Sequence, residues 1–171
     1  FFTRHGWEID VRNIVTAPGV VFAIHQIVSA LTKPGDSVLI QRPVYYPFSS
    51  AVTKLGRNLV NNPLVNKDGH YEIDFEDFEK KISDNRVKLF ILSNPHNPVG
   101  RVWTREELLK LSEILVRHGV YVISDEIHED FIYEGHRHTV FSTLSPEIAD
   151  LTITCTAPSK TFNQAGLHIS N

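Results

Sequence analysis

Four short apolar runs constrain this chain more than any other feature. They are Ser37-Val38-Leu39-Ile40, Val87-Lys88-Leu89-Phe90-Ile91-Leu92, Val120-Tyr121-Val122-Ile123 and Leu151-Thr152-Ile153-Thr154-Cys155-Thr156. Their length and β-branched content read as strands, the last of them as a buried one. Pro158, which has no N–H for a ladder, is expected to end it. Stretches of helical period lie between the runs. Val20, Ile24, Ile27, Val28 and Leu31 repeat at helical spacing behind a turn at Pro18-Gly19, and Pro34-Gly35-Asp36 stops that helix. Residues 48–55 look helical. Asp74 is placed to N-cap a helix with Phe75, Phe78 and Ile82 inward. Thr104-Arg105-Glu106-Glu107 is a capping box that starts a helix with Leu108, Leu111 and Leu115 inward, and Gly119 ends it.

Strands alternating with helices of this length give crossovers suited to parallel pairing. The expected architecture is therefore α/β: a three-layer α/β/α arrangement around a mostly parallel sheet. Shorter features complete it. Ile14-Val15 reads as a short strand, residues 59–65 as extended, and Asn66-Lys67-Asp68-Gly69 as the turn of a hairpin with Tyr71-Glu72-Ile73.

In a parallel sheet, ligands gather beyond the C-terminal strand ends. Tyr45 follows the first run, between two prolines that hold it extended. It is either a packing aromatic or a ring that stacks on a flat ligand. Asn97 follows the second run, in Ser93-Asn94-Pro95-His96-Asn97-Pro98-Val99-Gly100, a rigid non-helical loop. Asp125 follows the third, where a carboxylate needs a cation or a set of donors. Lys160 follows the fourth. The plain reading of a loop lysine is a solvated charge; held partly dry, the same amine is a nucleophile for aldehydes. Gly19 opens a helix whose N-terminus is a potential anion site, or an ordinary turn. Four chemically distinct groups on one sheet edge are harder to explain by packing than any one of them.

Composition removes several alternatives. With 42% hydrophobic and 22% charged residues the 171-residue chain is an ordinary core former, about one domain in size. A net charge of −3 without a basic block argues against nucleic acid or an anionic membrane as partner. No apolar run reaches transmembrane length. The single Cys155 excludes an intramolecular disulfide framework and fits a reducing, cytoplasmic setting. Among the nine histidines, none pairs with the His-x-x-x-His spacing of zinc sites, so no metal is expected. His136 and His138, flanking Arg137 in a polar loop, read as solvated. Methionine is absent, also at position 1, and the sequence stops eleven residues after Lys160, so it reads as an interior piece of a longer protein.

An amine, a carboxylate, an amide, an aromatic ring and a helix N-terminus together suit pyridoxal phosphate, which needs a lysine for its aldehyde and a carboxylate for its ring nitrogen. Asn94-Pro95-His96-Asn97-Pro98-Val99-Gly100 followed at this separation by Ser159-Lys160-Thr161-Phe162-Asn163 resembles the large domain of fold-type I pyridoxal-phosphate enzymes, the class I/II aminotransferase superfamily. Trp7-Glu8-Ile9, Pro18-Gly19-Val20-Val21, Asp125-Glu126-Ile127-His128 and Pro158-Ser159-Lys160 are similar to its cystathionine β-lyase (MalY/PatB-like) branch.

The resemblance implies a role for each position. Lys160 bonds to the cofactor aldehyde and later carries protons. Asp125 pairs with the ring nitrogen, Asn97 and His128 serve the phenolic oxygen, and Tyr45 stacks on the ring. The amides of Val20 and Val21, after Gly19, take the phosphate together with the Ser159 hydroxyl. Two positions depart from the wider family: Ala157 stands where many relatives have Ser or Thr, and His168 where many have Arg. The resemblance further implies that residues 1–171 are a partial large domain. The N-terminal segment, the small domain and the arginine for the substrate carboxylate would then lie outside it, and the whole protein is expected to be a homodimer. The expected reaction is β-elimination from cystathionine-like amino acids. A class I/II aminotransferase is the alternative, and the cofactor-binding domain of a transcription regulator a remote one.

Overall fold

The computed structural model describes residues 2–171 of the chain. Seven strands and seven helices follow one another: α1 (Phe2–His5), α2 (Val20–Leu31), β1 (Ser37–Ile40), α3 (Tyr46–Thr53), β2 (Asn58–Asn61), β3 (Val65–Lys67), β4 (His70–Glu72), α4 (Phe75–Asn85), β5 (Leu89–Ser93), α5 (Arg105–His118), β6 (Tyr121–Asp125), α6 (Pro146–Leu151), β7 (Thr152–Cys155) and α7 (Pro158–Thr161). Five strands form one sheet in the order β2-β1-β5-β6-β7, every neighbouring pair parallel. The hairpin β3-β4 forms on the Asn66–Gly69 turn, with Gly69 donating its N–H to the Asn66 side chain at 2.8 Å.

Alternation along the strands sorts the core into two faces. Val38, Ile40, Leu89, Ile91 and Ile123 pack with Val20, Ile24 and Val28 of α2 and Phe48, Ala51 and Val52 of α3. Leu39, Phe90, Leu92 and Val122 pack on the opposite face with Phe78 and Ile82 of α4, Leu108, Leu111 and Leu115 of α5 and Ile148 of α6. The three-layer arrangement is the one expected. The caps are as expected too. Asp74 accepts the Asp77 N–H, Thr104 and Glu107 form the reciprocal box, and Gly119 closes α5 in the left-handed region.

Three local expectations are corrected. Ile14-Val15 is not a strand: Val15 is exposed, and the one bridge of this segment joins Ala17 to Ser170. A β-run needs a partner over several residues, and here the partner is a single position. β7 is less buried than its composition implies, with Ile153 exposed, because among the described residues it pairs with β6 alone and lies at the edge of the sheet. It also ends before Pro158, at Cys155; Pro158 instead starts α7, where a missing N–H costs nothing. No helix of the described residues is long and apolar enough to cross a membrane.

Candidate active site

A cleft of about 380 Å³ opens at the C-terminal ends of β1, β5, β6 and β7. Gly19, Val20, Val21, Tyr45, Asn97, Asp125, His128 and Lys160 all line it. Ser159, next to Lys160 on α7, does not stand on its wall. His168 does, with Phe22, Ser93, Ile127 and Ala165, none of which the sequence reading had assigned a place here except His168.

Each side chain is put there by its element. Gly19 sits at φ 105°, ψ 148°, a conformation that a side chain opposes, and it N-caps α2 without a side-chain cap. Its carbonyl accepts the Ala23 N–H at 3.1 Å, so the amides of Val20, Val21 and Phe22 are the first-turn donors that a helix leaves over. They face the cleft with the positive end of a helix of 12 residues behind them. Tyr45 N-caps α3, and its N–H donates to the Asn97 carbonyl at 3.0 Å, which joins the loops after β1 and β5.

The Asn97 loop is held from beneath. The Asn97 N–H donates to Ser93 Oγ at 3.1 Å, and Trp103 Nε1–H donates to the Ser93 carbonyl at 3.0 Å. His96 Nε2 bonds the Pro43 carbonyl at 2.9 Å, while the ring packs edge-on against Trp103. Burial pushes His96 down to about 4, so it is neutral at ordinary pH and serves as a strut. Asn94-Pro95, Asn97-Pro98 and Arg42-Pro43 are cis peptides.

Asp125 ends β6 with 6% of its surface exposed. It accepts one hydrogen bond, from the Ile127 N–H at 3.2 Å. Burial pushes its carboxyl up to about 7, against the pull of that hydrogen bond and of the Lys160 charge. A buried carboxylate with one backbone donor is under-satisfied as an anion. His128, half-buried, is held below the ordinary histidine value by burial and then by Lys160.

Behind the cleft, Glu126 is fully buried. It accepts from Ser124 Oγ at 2.8 Å, His138 Nε2 at 2.8 Å and the Phe141 N–H at 3.0 Å. This corrects the expectation for His138: it is buried, because an anchored carboxylate waits for it across the loop. Glu126 lies within the Asp125-Glu126-Ile127-His128 motif, and the family resemblance implies no role for it. An acid inside a strand-end motif, with no exposed position available, was the signal. Glu126, Glu129 and His138 bring potential metal-ligating atoms within 4.8 Å of one another. Glu126 already accepts three hydrogen bonds from protein donors. Burial, and then the Glu126 charge, push Glu129 up to about 7. Cys155 is buried and its thiol is pushed up to about 12 by burial and then by Asp125, so it is inert.

Known proteins resemble this chain along nearly its whole length. The family described as aminotransferase class I and II matches residues 1–170. The cystathionine β-lyase PatB of Bacillus subtilis is 57% identical over 167 residues, covering 98% of this chain and 43% of that protein. Kynurenine–oxoglutarate transaminase 3 of Mus musculus is 35% identical over 168 residues, covering 93% of this chain and 36% of that protein. The crystal structure of cystalysin from Treponema denticola, which contains a pyridoxal 5′-phosphate cofactor, superposes with a TM-score of 0.97 at 46% identity, over 99% of this chain and 43% of that one. The chain thus spans well under half the length of these relatives. With the matched family extending over nearly all its residues, the chain belongs to the class I and II aminotransferases.

Proposed function

We propose that this chain is the cofactor-binding part of a pyridoxal-phosphate-dependent carbon–sulfur β-lyase acting on cystathionine-like amino acids. The observation that carries the reading is Asp125: a buried carboxylate with a single backbone donor, in one cleft with an amine and a free helix N-terminus. The residues fit the group. A pyridinium N–H is the cation Asp125 lacks, and the first-turn amides of α2 suit a phosphate.

When bound, the cofactor supplies a protonated ring that takes up the electron pair left at the substrate Cα. Lys160 is the attachment point and, once released, the general base that removes the Cα proton. Asp125 keeps the ring nitrogen protonated while charge builds. Asn97 and His128 serve the phenolic oxygen, and Tyr45 covers the ring. The amides of Val20 and Val21 hold the phosphate, with no part for Ser159, which stands off the cleft wall; His168, on that wall, stands in for the usual arginine. With that chemistry supplied, the sulfur group would leave Cβ as a thiolate as the Cα–Cβ double bond forms. Water finally releases ammonia and pyruvate.

The identity to PatB, 57% against 35% to the transaminase, favours the lyase over the aminotransferase that shares its first steps. The reading extends to the whole protein as a cytoplasmic homodimer with a small-molecule amino-acid substrate and no nucleic-acid or membrane partner. Its small domain and its carboxylate-binding arginine would lie outside residues 1–171. The exposed apolar side chains Phe22, Tyr46, Phe131 and Tyr133, and the lone buried Cys155, support that extension. The test is full-length enzyme with cystathionine and no keto acid. Steady release of pyruvate is expected. No pyruvate, with rapid amino-group exchange between an amino acid and 2-oxoglutarate, would establish the aminotransferase instead.

A further inference from the structure

Lys160 rides on α7, a single turn that has no buried residue. Packing therefore holds this helix weakly, and its anchorage has to be polar. Among the described residues, the side-chain hydrogen bond that ties α7 to the rest of the fold runs from Thr161 Oγ1 to Asp130 Oδ2 at 2.6 Å. Its length is that of a hydroxyl donating to a charged carboxylate. The other oxygen of Asp130 is taken by the guanidinium of Arg4 in α1. Asp130 is itself firmly placed, with 11% of its side chain exposed. It sits in the loop after β6, in which the Glu129 N–H donates to the Glu126 carbonyl and the Phe131 N–H to the His128 carbonyl, both at 2.9 Å. Glu126 at the head of that loop is locked by its three donors.

We propose that Asp130 is a positioning residue for Lys160. Resting on the function assigned to Lys160 above, it clamps the turn that carries the amine to the loop that carries Asp125 and His128. The amine and the ring-facing carboxylate come from different strands, β7 and β6. Backbone pairing fixes those strands as far as Asp125 and Cys155, which are partners in register. Beyond Cys155 the β6 register no longer holds the chain; Thr156 pairs with Asn171 instead, and Lys160 lies four residues past that pair. The Thr161–Asp130 bond spans this gap with a directional contact one residue from the amine. Arg4 occupies Oδ1 and so leaves Oδ2 to the hydroxyl. Loss of the clamp lets the amine wander without removing any group that touches the cofactor.

The experiment uses full-length, cofactor-loaded protein and the variants Asp130→Ala, Thr161→Val, Thr161→Ser and the Ala/Val double. The readouts are the midpoint of the pH-dependent absorbance of the lysine-bound cofactor, kcat and KM separately, and thermal stability. Asp130→Ala and Thr161→Val are each expected to lower kcat by roughly tenfold to a hundredfold, the scale of a displacement of about 1 Å at a reacting group, with KM within about twofold. Both should move the absorbance midpoint in the same direction, and the double variant should be no worse than the more affected single. Thr161→Ser should restore most of the loss. If Asp130→Ala folds poorly, Thr161→Val, which only replaces a hydroxyl by a methyl, still decides. An unmoved midpoint and kcat in Thr161→Val, with Lys160 still carrying the cofactor, overturns the positioning role alone. Absence of cofactor on Lys160 in the unmodified protein overturns the functional reading, and this role with it.

Discussion

Replacing Asp125 with Asn should make the cofactor-free protein more stable at neutral pH. The carboxyl moves from an ordinary 3.8 to about 7 on folding, chiefly by burial. At about 1.4 kcal/mol per pH unit, keeping it ionised in the fold costs on the order of 4 kcal/mol. The sign follows from the raised value: the folded form binds the proton more tightly than the unfolded one. Stability is then fully present below about 4 and is lost as pH rises to about 7, beyond which the loss levels off. Asparagine keeps an oxygen for the Ile127 N–H and carries no charge. It adds an amide whose donors lack partners, at a cost of about 1 kcal/mol or more. The assay is denaturant unfolding of full-length, cofactor-free protein from pH 5 to 8, for both forms. Relative to Asp125→Asn, the unmodified protein should lose about 2–3 kcal/mol over that range. Adding the cofactor should flatten the difference, since a pyridinium donor stabilises the ionised carboxylate, while turnover by Asp125→Asn stays severely reduced. Parallel pH profiles of the two cofactor-free proteins would refute the reasoning, because the strain assigned to Asp125 would not exist.

Substitutions at two further positions probe the frame of the site. Glu126→Ala strands His138, Ser124 and the Phe141 N–H in the interior and should destabilise by about 3–5 kcal/mol in chemical denaturation, with Glu126→Gln clearly milder because it keeps an acceptor for two of the three donors. Gly19→Ala meets no atom within 4 Å of the new Cβ, so its cost is backbone strain alone, about 1–3 kcal/mol, and it should appear as weaker cofactor binding in a fluorescence titration.

What the sequence made legible and what it hid divide along one physical line. Helix caps at Asp74 and Thr104, the Asn66–Gly69 hairpin and the strand ends bearing Tyr45, Asn97, Asp125 and Lys160 are local patterns, and each forms where its residues place it. Contacts between distant residues were not legible. His138 belongs to Glu126 across 12 positions of sequence, Thr161 to Asp130 across 31, and Ala17 to Ser170 across 153. Nothing in the local composition of His136-Arg137-His138 distinguishes the buried ring from the exposed one; only the position of the waiting carboxylate does. β7 differs for the same reason: its residues describe a buried strand, but burial depends on strand neighbours on both sides, and among the described residues β7 pairs with β6 alone. The cofactor-facing positions were legible because a parallel sheet converts a purely local property, the end of a strand, into a shared place in space.

The central claim is that Lys160 is the amine this cleft was built around. Full-length protein should be isolated with its cofactor, reduced with borohydride, digested and mapped by mass. The account predicts a pyridoxyl group on Lys160 within the Pro158–Thr161 turn and on no other lysine. A stable adduct on another residue such as Lys33 or Lys54, or a reduced protein with no adduct at all, would contradict it.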